Sequence, residues 1–256
     1  MNAPALQVSG LSLSYRDLTA LRDVDLGIPA RQITALVGPS GCGKSSFLHA
    51  LNRLTDLVPG CRVSGSIRLA DGTEVTDPKT DVLALRRRVG IVFQRPNPFP
   101  QSIRRNFEIP LKEHGWSKSE IPDRIETVLR EVGLWKEISG RLHHPATALS
   151  GGQQQRLCLA RALALEPEVI LFDEPCSALD PIASGVVEDL ILSLREKITI
   201  VIVTHHLAQA RRIADHAAVF WVRDGAGALV EKGRAATVFS DPADPDAAMY
   251  LSGARG

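Results

Sequence analysis

Gly38-Pro39-Ser40-Gly41-Cys42-Gly43-Lys44-Ser45 is the segment of this chain richest in chemistry. It fits G-x-x-x-x-G-K-[ST] and stands between an apolar run, Ile33 to Val37, and a stretch of helical character from Lys44 to Leu54. Glycines at this spacing let the backbone curl until successive N–H groups point inward, an arrangement that holds phosphate oxygens. Lys44 brings a cation to the β- and γ-phosphates of a nucleotide, and the Ser45 hydroxyl is placed to ligate Mg²⁺, with Ser46 next in line. Cys42 has two readings. The amides and Lys44 around it favour a reactive thiolate, whereas a small residue that fills a tight loop needs no reactivity.

Two carboxylates stand together at the end of another apolar run. Val169 to Phe172 leads into Asp173 and Glu174, and in a parallel sheet the carboxyl edge of the strands is where ligands bind. Asp173 is expected to partner Mg²⁺, directly or through water, and Glu174 to orient and polarise an attacking water. The same acids could instead sit on an exposed loop and cap a helix. Leu149-Ser150-Gly151-Gly152-Gln153 opens an apolar helix with a serine and two glycines, a second anion-binding terminus. An ordinary phosphate-loop enzyme needs one cradle, so the second is expected to serve a different nucleotide. The plainer reading is a serine N-cap with no ligand.

The apolar periodicities supply the scaffold. Leu11, Leu13, Tyr15 and then Val24, Leu26, Ile28 alternate as half-buried strands do, and Ser64 to Val75 predicts a hairpin turning at Asp71-Gly72. Val89 to Phe93, Ile198 to Val203 and Ala217 to Val222 predict buried strands. From Arg95 to Ala148 the pattern is helical, with Ser117 and Glu120 as a capping box ahead of Ile121, Ile125, Val128, Leu129 and Val132. Asp180-Pro181 predicts an N-cap and the first residue of a helix. Buried strands alternating with helices predict an α/β fold around a mostly parallel sheet covered on both faces. The last fifteen or so residues predict no element.

Composition narrows the class. With 44% hydrophobic and 23% charged residues and a formal net charge of +1 over 256 residues, the chain is globular, with no global footprint for nucleic acid. The runs Arg86-Arg87-Arg88, Arg104-Arg105 and Arg211-Arg212 read as solvated helix faces. Cys42, Cys61, Cys158 and Cys176 form no C-x-x-C pair, which favours reduced thiols in a cytosolic compartment. Met1 to Gly10 lacks the pattern of a signal peptide, and no apolar run approaches the ~18 residues of a membrane span.

Over essentially its whole length the sequence resembles the ATP-binding subunits of ABC transporters. Beside the Walker A loop, the Walker B acids and the signature Leu149 to Gln153, other stations follow in family order. Gln94 matches the Q-loop glutamine, Ser177 to Asp180 the D-loop, His205 the switch histidine, and Tyr15 the aromatic residue that stacks on adenine. Within that family, Leu51 to Gly60, Val92 to Pro100, Ser150 to Leu157 and Asp173 to Ile182 are similar to the phosphate-import (Pst) ATPase subunits. Departures are Ser46 where many members have threonine, His206 where asparagine is usual, and the stretch Arg104 to Pro110.

The resemblance implies one ABC ATPase domain over residues 1–256. A RecA-like P-loop sheet would carry an N-terminal antiparallel β subdomain and a helical signature subdomain over about 94–161. It implies ATP and Mg²⁺, with Ser45, Gln94 and Asp173 at the metal and Glu174, His205 and Gln94 in hydrolysis. The nucleotide would meet Tyr15, residues 38–46, Ser150, Gly151, Gly152, Gln153 and Asp180. It further implies a homodimer in which the signature of one subunit covers the ATP of the other. Two transmembrane permease subunits and, through them, a phosphate-binding protein complete the assembly at the cytoplasmic face of the inner membrane. The alternatives are an importer of another small solute, or a soluble ABC ATPase, which would be expected to carry tandem ATPase domains or a long coiled-coil insertion.

Overall fold

The computed structural model describes residues 4–253. Alternating apolar residues give two long strands, β1 (Pro4–Tyr15) and β2 (Leu18–Pro29), and the apolar run gives β3 (Ile33–Val37), buried throughout. The first helix, α1 (Lys44–Ala50), is shorter than its pattern predicts. Arg53 takes a left-handed φ of 58°, and a 3-10 turn over Leu54–Leu57 replaces the last turn. A single residue in that conformation ends a helix whatever the apolar spacing beyond it.

Strand β4 (Cys61–Leu69) turns at Asp71-Gly72, where Gly72 has a φ of 87°. The return arm of this hairpin is reduced to one bridge, Arg68 to Glu74. Helix α2 (Val82–Arg88), capped by the Asp81 carboxylate, leads into β5 (Val89–Val92). Then come α3 (Arg105–Glu113), α4 (Ile121–Glu131), α5 (Trp135–Ile138) and α6 (Gly151–Leu163), all between β5 and β6 (Val169–Asp173). Ser117 and Glu120 make their reciprocal bonds, one turn ahead of α4. The chain continues through α7 (Pro181–Leu194), β7 (Thr199–Val203), α8 (Leu207–Ile213), β8 (His216–Arg223) and β9 (Ala226–Arg234).

After β9 come two short helices, α9 (Ala235–Ser240) and α10 (Pro245–Leu251), and the second, inside the last fifteen or so residues, corrects the expectation of no element there. Asp244 caps α10 by accepting from the N–H groups of Asp246 and Ala247. Residues 254–256 of that tail and 1–3 of the N-terminal stretch lie outside the described residues.

The strands form one sheet in the order β4-β1-β2-β9-β8-β3-β7-β6-β5. From β8 to β5 neighbours are parallel; β8–β9, β1–β2 and β1–β4 are antiparallel. Successive residues of the parallel strands point to opposite faces, which produces two cores. Ile33, Ala35, Ile170, Phe172, Ile200 and Ile202 join the helices of one core, while Leu36, Leu171, Val201 and Val203 join Phe47, Leu48 and the antiparallel arm in the other. β7 lies between β3 and β6, so the carboxyl ends of three adjacent strands carry the phosphate loop, the acids and His205.

The basic runs do more than face water. Arg86 bonds the carbonyls of Asn52 and Arg53, Arg87 that of Leu165, and Arg211 that of Leu251. Arg88 pairs with Asp71 and Glu168, Arg104 with Glu108, and Arg212 with Glu188. Among the described residues, no helix is long and apolar enough to cross a membrane.

Candidate nucleotide site

The loop after β3 curls as its glycines allow. Gly41 and Gly43 have φ of 81° and 92°, and a Cβ on Gly43 would stand 2.5 Å from Leu21 Cδ2. Lys44, 6% exposed, is held inside the curl, with Nζ donating to the carbonyls of Gly38 and Pro39 at 2.8 Å each. Cys42 sits against the same ammonium, Nζ to Sγ 3.6 Å. Its burial raises the thiol pKa by more than Lys44 lowers it. The reactive reading of Cys42 is therefore corrected: the thiol is buried and stays protonated.

At the foot of the loop the Ser45 hydroxyl donates to Asp173 Oδ1 at 2.8 Å. His49 Nε2, also on α1, lies 3.3 Å from the other oxygen, Oδ2, and makes no hydrogen bond of its own among the described residues. Glu174 follows with φ 48°, a left-handed conformation that costs an ordinary residue roughly 1–2 kcal/mol. That turn breaks the alternation of β6 and aims Glu174 away from Asp173. Its N–H still bonds the carbonyl of Val203, extending the β6–β7 ladder. One oxygen, Oε2, then receives two partners: Gln94 Nε2 at 3.1 Å and His205 Nδ1 at 3.0 Å.

A cleft of about 430 Å³ opens over the loop, lined by Tyr15, Ser40, Lys44, Ser45, Ser46, Glu174 and their neighbours. Tyr15 donates its hydroxyl to Ser46 Oγ at 3.2 Å and has Leu18 and Val222, both largely exposed, in the same lining. Gly227 on β9 closes the floor. A Cβ there would stand 2.2 Å from the carbonyl oxygen of Cys42, so the loop can lie on β9 only because residue 227 has no side chain.

The second cradle lies in a separate cleft of about 590 Å³. It is lined by Ser150, Gly151, Gly152, Gln153 and Asp180 and, among the described residues, shares no lining residue with the first. Ser150 and Gln153 form a reciprocal capping box on α6. Accepting the Gln153 N–H uses only a lone pair of Ser150 Oγ, so the hydroxyl proton remains free to donate. Gln153 Nε2 donates to Glu137, which is paired with Arg156 at 2.8 Å. Asp180 caps α7 through the N–H groups of Ile182 and Ala183, one carboxylate oxygen accepting both.

His49, Gly227 and Glu137 are site residues that the motifs do not name. His49 has a sequence signal, because it lies four residues after Ser45 and so on the same face of α1. The other two have none, since only the tertiary fold brings them to the clefts.

A parallel sheet whose strand ends gather a phosphate loop, an aspartate on its serine and a second, poised carboxylate defines a P-loop nucleoside triphosphatase. The family described as ABC transporter matches residues 21–177. The Phosphate import ATP-binding protein PstB 1 of Nitrosococcus oceani is 57% identical over 252 residues, covering 98% of this chain and 91% of that protein. Among solved structures, cbiO1 of Clostridium perfringens, part of the ABC transporter complex cbiONQ, superposes with a TM-score of 0.79 at 26% identity, covering 94% of this chain and 92% of that one. A dimeric ATP-binding cassette in a post-hydrolysis state, bound to ADP and Pi, gives 0.75 at 28% identity, covering 90% and 98%. The chain belongs to the ABC transporter family, as one of its ATP-binding subunits.

Proposed function

We propose that this chain hydrolyses ATP to drive an importer of inorganic phosphate, working as a head-to-tail dimer beneath two permease subunits at the cytoplasmic face of the inner membrane. The observation that carries the ATPase reading is Glu174: a strained carboxylate, beside the Ser45–Asp173 pair, with Gln94 and His205 on one oxygen. Its second oxygen is then the one to take the proton of an attacking water, while Gln94 and His205 hold the carboxylate in line. Lys44 and the loop N–H groups take the phosphate charge, and Tyr15 with Leu18 and Val222 offers the base an apolar shelf.

The donors at the loop foot suit Mg²⁺, a hard cation that prefers oxygen. Ser45 Oγ and a carboxylate oxygen of Asp173 are already 2.8 Å apart, and Gln94, whose amide nitrogen donates to Glu174, keeps its amide oxygen to serve as a metal ligand. When bound there, Mg²⁺ would neutralise charge on the β- and γ-phosphates.

The signature cleft supports the dimer. It holds donors for an anion at Ser150, Gly151 and Gly152 yet shares no residue with the phosphate loop's cleft, so it fits the nucleotide of a second subunit. A two-fold axis makes both composite sites with one interface. Chains carrying Ser40→Cys mixed with chains carrying Ser150→Cys should cross-link between subunits only when ATP is present. Cross-links confined to a doubly substituted chain would overturn that geometry.

We read residues 4–253 as part of one ATPase domain in which the insert around α3 to α6 meets the permease and Gln94 links it to the site. The phosphate cargo rests on likeness to the Nitrosococcus protein, since the transported ion need not touch this subunit. Deleting the chain from its native cell should abolish uptake of radiolabelled phosphate at micromolar concentration and spare sulfate uptake. Loss of sulfate transport with phosphate uptake intact would keep the ATPase and overturn the cargo. A phosphate-binding protein outside the membrane would deliver the ion to the permease.

A further inference from the structure

A buried polar chain runs behind His205 and touches neither cleft. Glu188 in the middle of α7 is 7% exposed, Gln209 on α8 5%, and Thr204 at the end of β7 1%. Glu188 Oε1 accepts from Gln209 Nε2 at 2.9 Å, Gln209 Oε1 accepts from the Thr204 hydroxyl at 2.7 Å, and Thr204 Oγ1 accepts from the His206 N–H at 3.0 Å. Arg212 pairs with the other oxygen of Glu188 and balances its charge. The Cys176 thiol, two residues beyond Glu174 and held protonated by burial, lies against Gln209 as well.

The direction of this chain is fixed from one end. With Arg212 on its other oxygen, Glu188 serves as the acceptor, so Gln209 turns its NH₂ to Glu188 and its carbonyl to Thr204. Thr204 must then spend its one proton on Gln209, which leaves its lone pairs for the His206 N–H. Each link is determined by the one before it. Apolar residues of the same volume would fill this space without the desolvation that a buried carboxylate, amide and hydroxyl incur. Packing does not account for the choice.

What the chain holds is the segment 203–206, and that segment makes two contacts with Glu174. The carbonyl of Val203 accepts the Glu174 N–H at 3.0 Å, and His205 Nδ1 is 3.0 Å from Glu174 Oε2. Thr204 lies between them, with its own N–H on the carbonyl of Leu36. We infer that Thr204, Gln209 and Glu188 are positioning residues that hold His205 on Glu174 and tie its placement to α7, the helix capped by Asp180. The inference rests on the reading of His205 as a group that orients Glu174. It also gives the second cleft a physical path to the first, because α7 starts at one and, through Glu188, braces the other.

Thr204→Val keeps the shape and removes both hydroxyl bonds, whereas Thr204→Ser keeps them. ATPase kinetics with the intact dimer should show kcat down about tenfold for Thr204→Val, with KM for ATP within about twofold of wild type and Thr204→Ser near the wild-type rate. Glu188→Met, two links away, should give the same loss confined to kcat and carries the test should the valine variant not fold. In a His205→Ala background, Thr204→Val should add no further loss, because a residue acting through His205 has nothing left to position. Equal loss from Thr204→Val with and without His205, or a loss that falls on KM, would overturn the inference. A wild-type rate for His205→Ala alone would overturn the reading beneath it and the inference together.

Discussion

Glu174→Gln binds ATP and turns it over about 10²–10⁴ times more slowly than wild type, a barrier increase of about 3–5.5 kcal/mol. The substitution removes the acid–base group and little else. Glutamine has the same length, its amide oxygen can still accept from Gln94 or His205, and the left-handed backbone at this position is unchanged by it. The Lys44 cradle and the Ser45–Asp173 pair are untouched, so affinity for Mg-ATP stays near wild type. Slow hydrolysis with intact binding makes the ATP-bound dimer accumulate, which gel filtration with Mg-ATP reads as a shift from monomer to dimer. Single-turnover hydrolysis at the wild-type rate would remove Glu174 from the role of base.

Most of this site was legible because each part is contiguous in sequence. A glycine-rich octapeptide, two adjacent acids after an apolar run and a serine with two glycines declare themselves without a fold. Their convergence was less visible: Ser45 and Asp173 are 128 residues apart, and Gln94 and Glu174 are 80. Only the order of the stations pointed to those contacts. Burial was harder still. The charges beside Cys42 can be read from its neighbours, but the desolvation that outweighs them comes from packing that no local pattern records.

The boundaries that sequence reasoning misplaced have equally local causes. The apolar spacing of α1 runs on through Leu51 and Leu54, yet Arg53 turns left-handed, and its guanidinium is held by Asp56 and the carbonyl of Asp77. Helix α10 carried the same signal that located α7, an aspartate followed by proline, at Asp244-Pro245 as at Asp180-Pro181. It was obscured by a further proline, Pro242, and by a length of seven residues, too short to show a helical period. The helix matters, because Tyr250 on it is buried beside Trp221, with ring centroids 6.3 Å apart, and lies by the Gly38 backbone at the start of the phosphate loop.

Lys44→Met should abolish ATPase activity and weaken ATP binding by at least about 10²-fold while the protein remains folded. Among the described residues Lys44 is the one side-chain cation in the lining of the first cleft, and charge-assisted hydrogen bonds contribute about 1.5–3 kcal/mol each. Two such bonds to phosphate oxygens amount to about 3–6 kcal/mol, or 10²–10⁴ in affinity at about 1.4 kcal/mol per decade. Methionine keeps the unbranched stem that this 6% exposed position encloses, so the surrounding packing survives. The carbonyls of Gly38 and Pro39 lose their donor; that of part-buried Pro39 can turn to water, while the buried one of Gly38 left unsatisfied costs about 1–3 kcal/mol. That is a fraction of the 5–15 kcal/mol by which a domain is usually stable, so the fold tolerates it. The two effects separate cleanly in experiment. Isothermal titration with Mg-ATP reads the affinity, and a thermal melt without nucleotide reads the fold. A folded variant that binds ATP within threefold of wild type would show that the phosphates are held elsewhere.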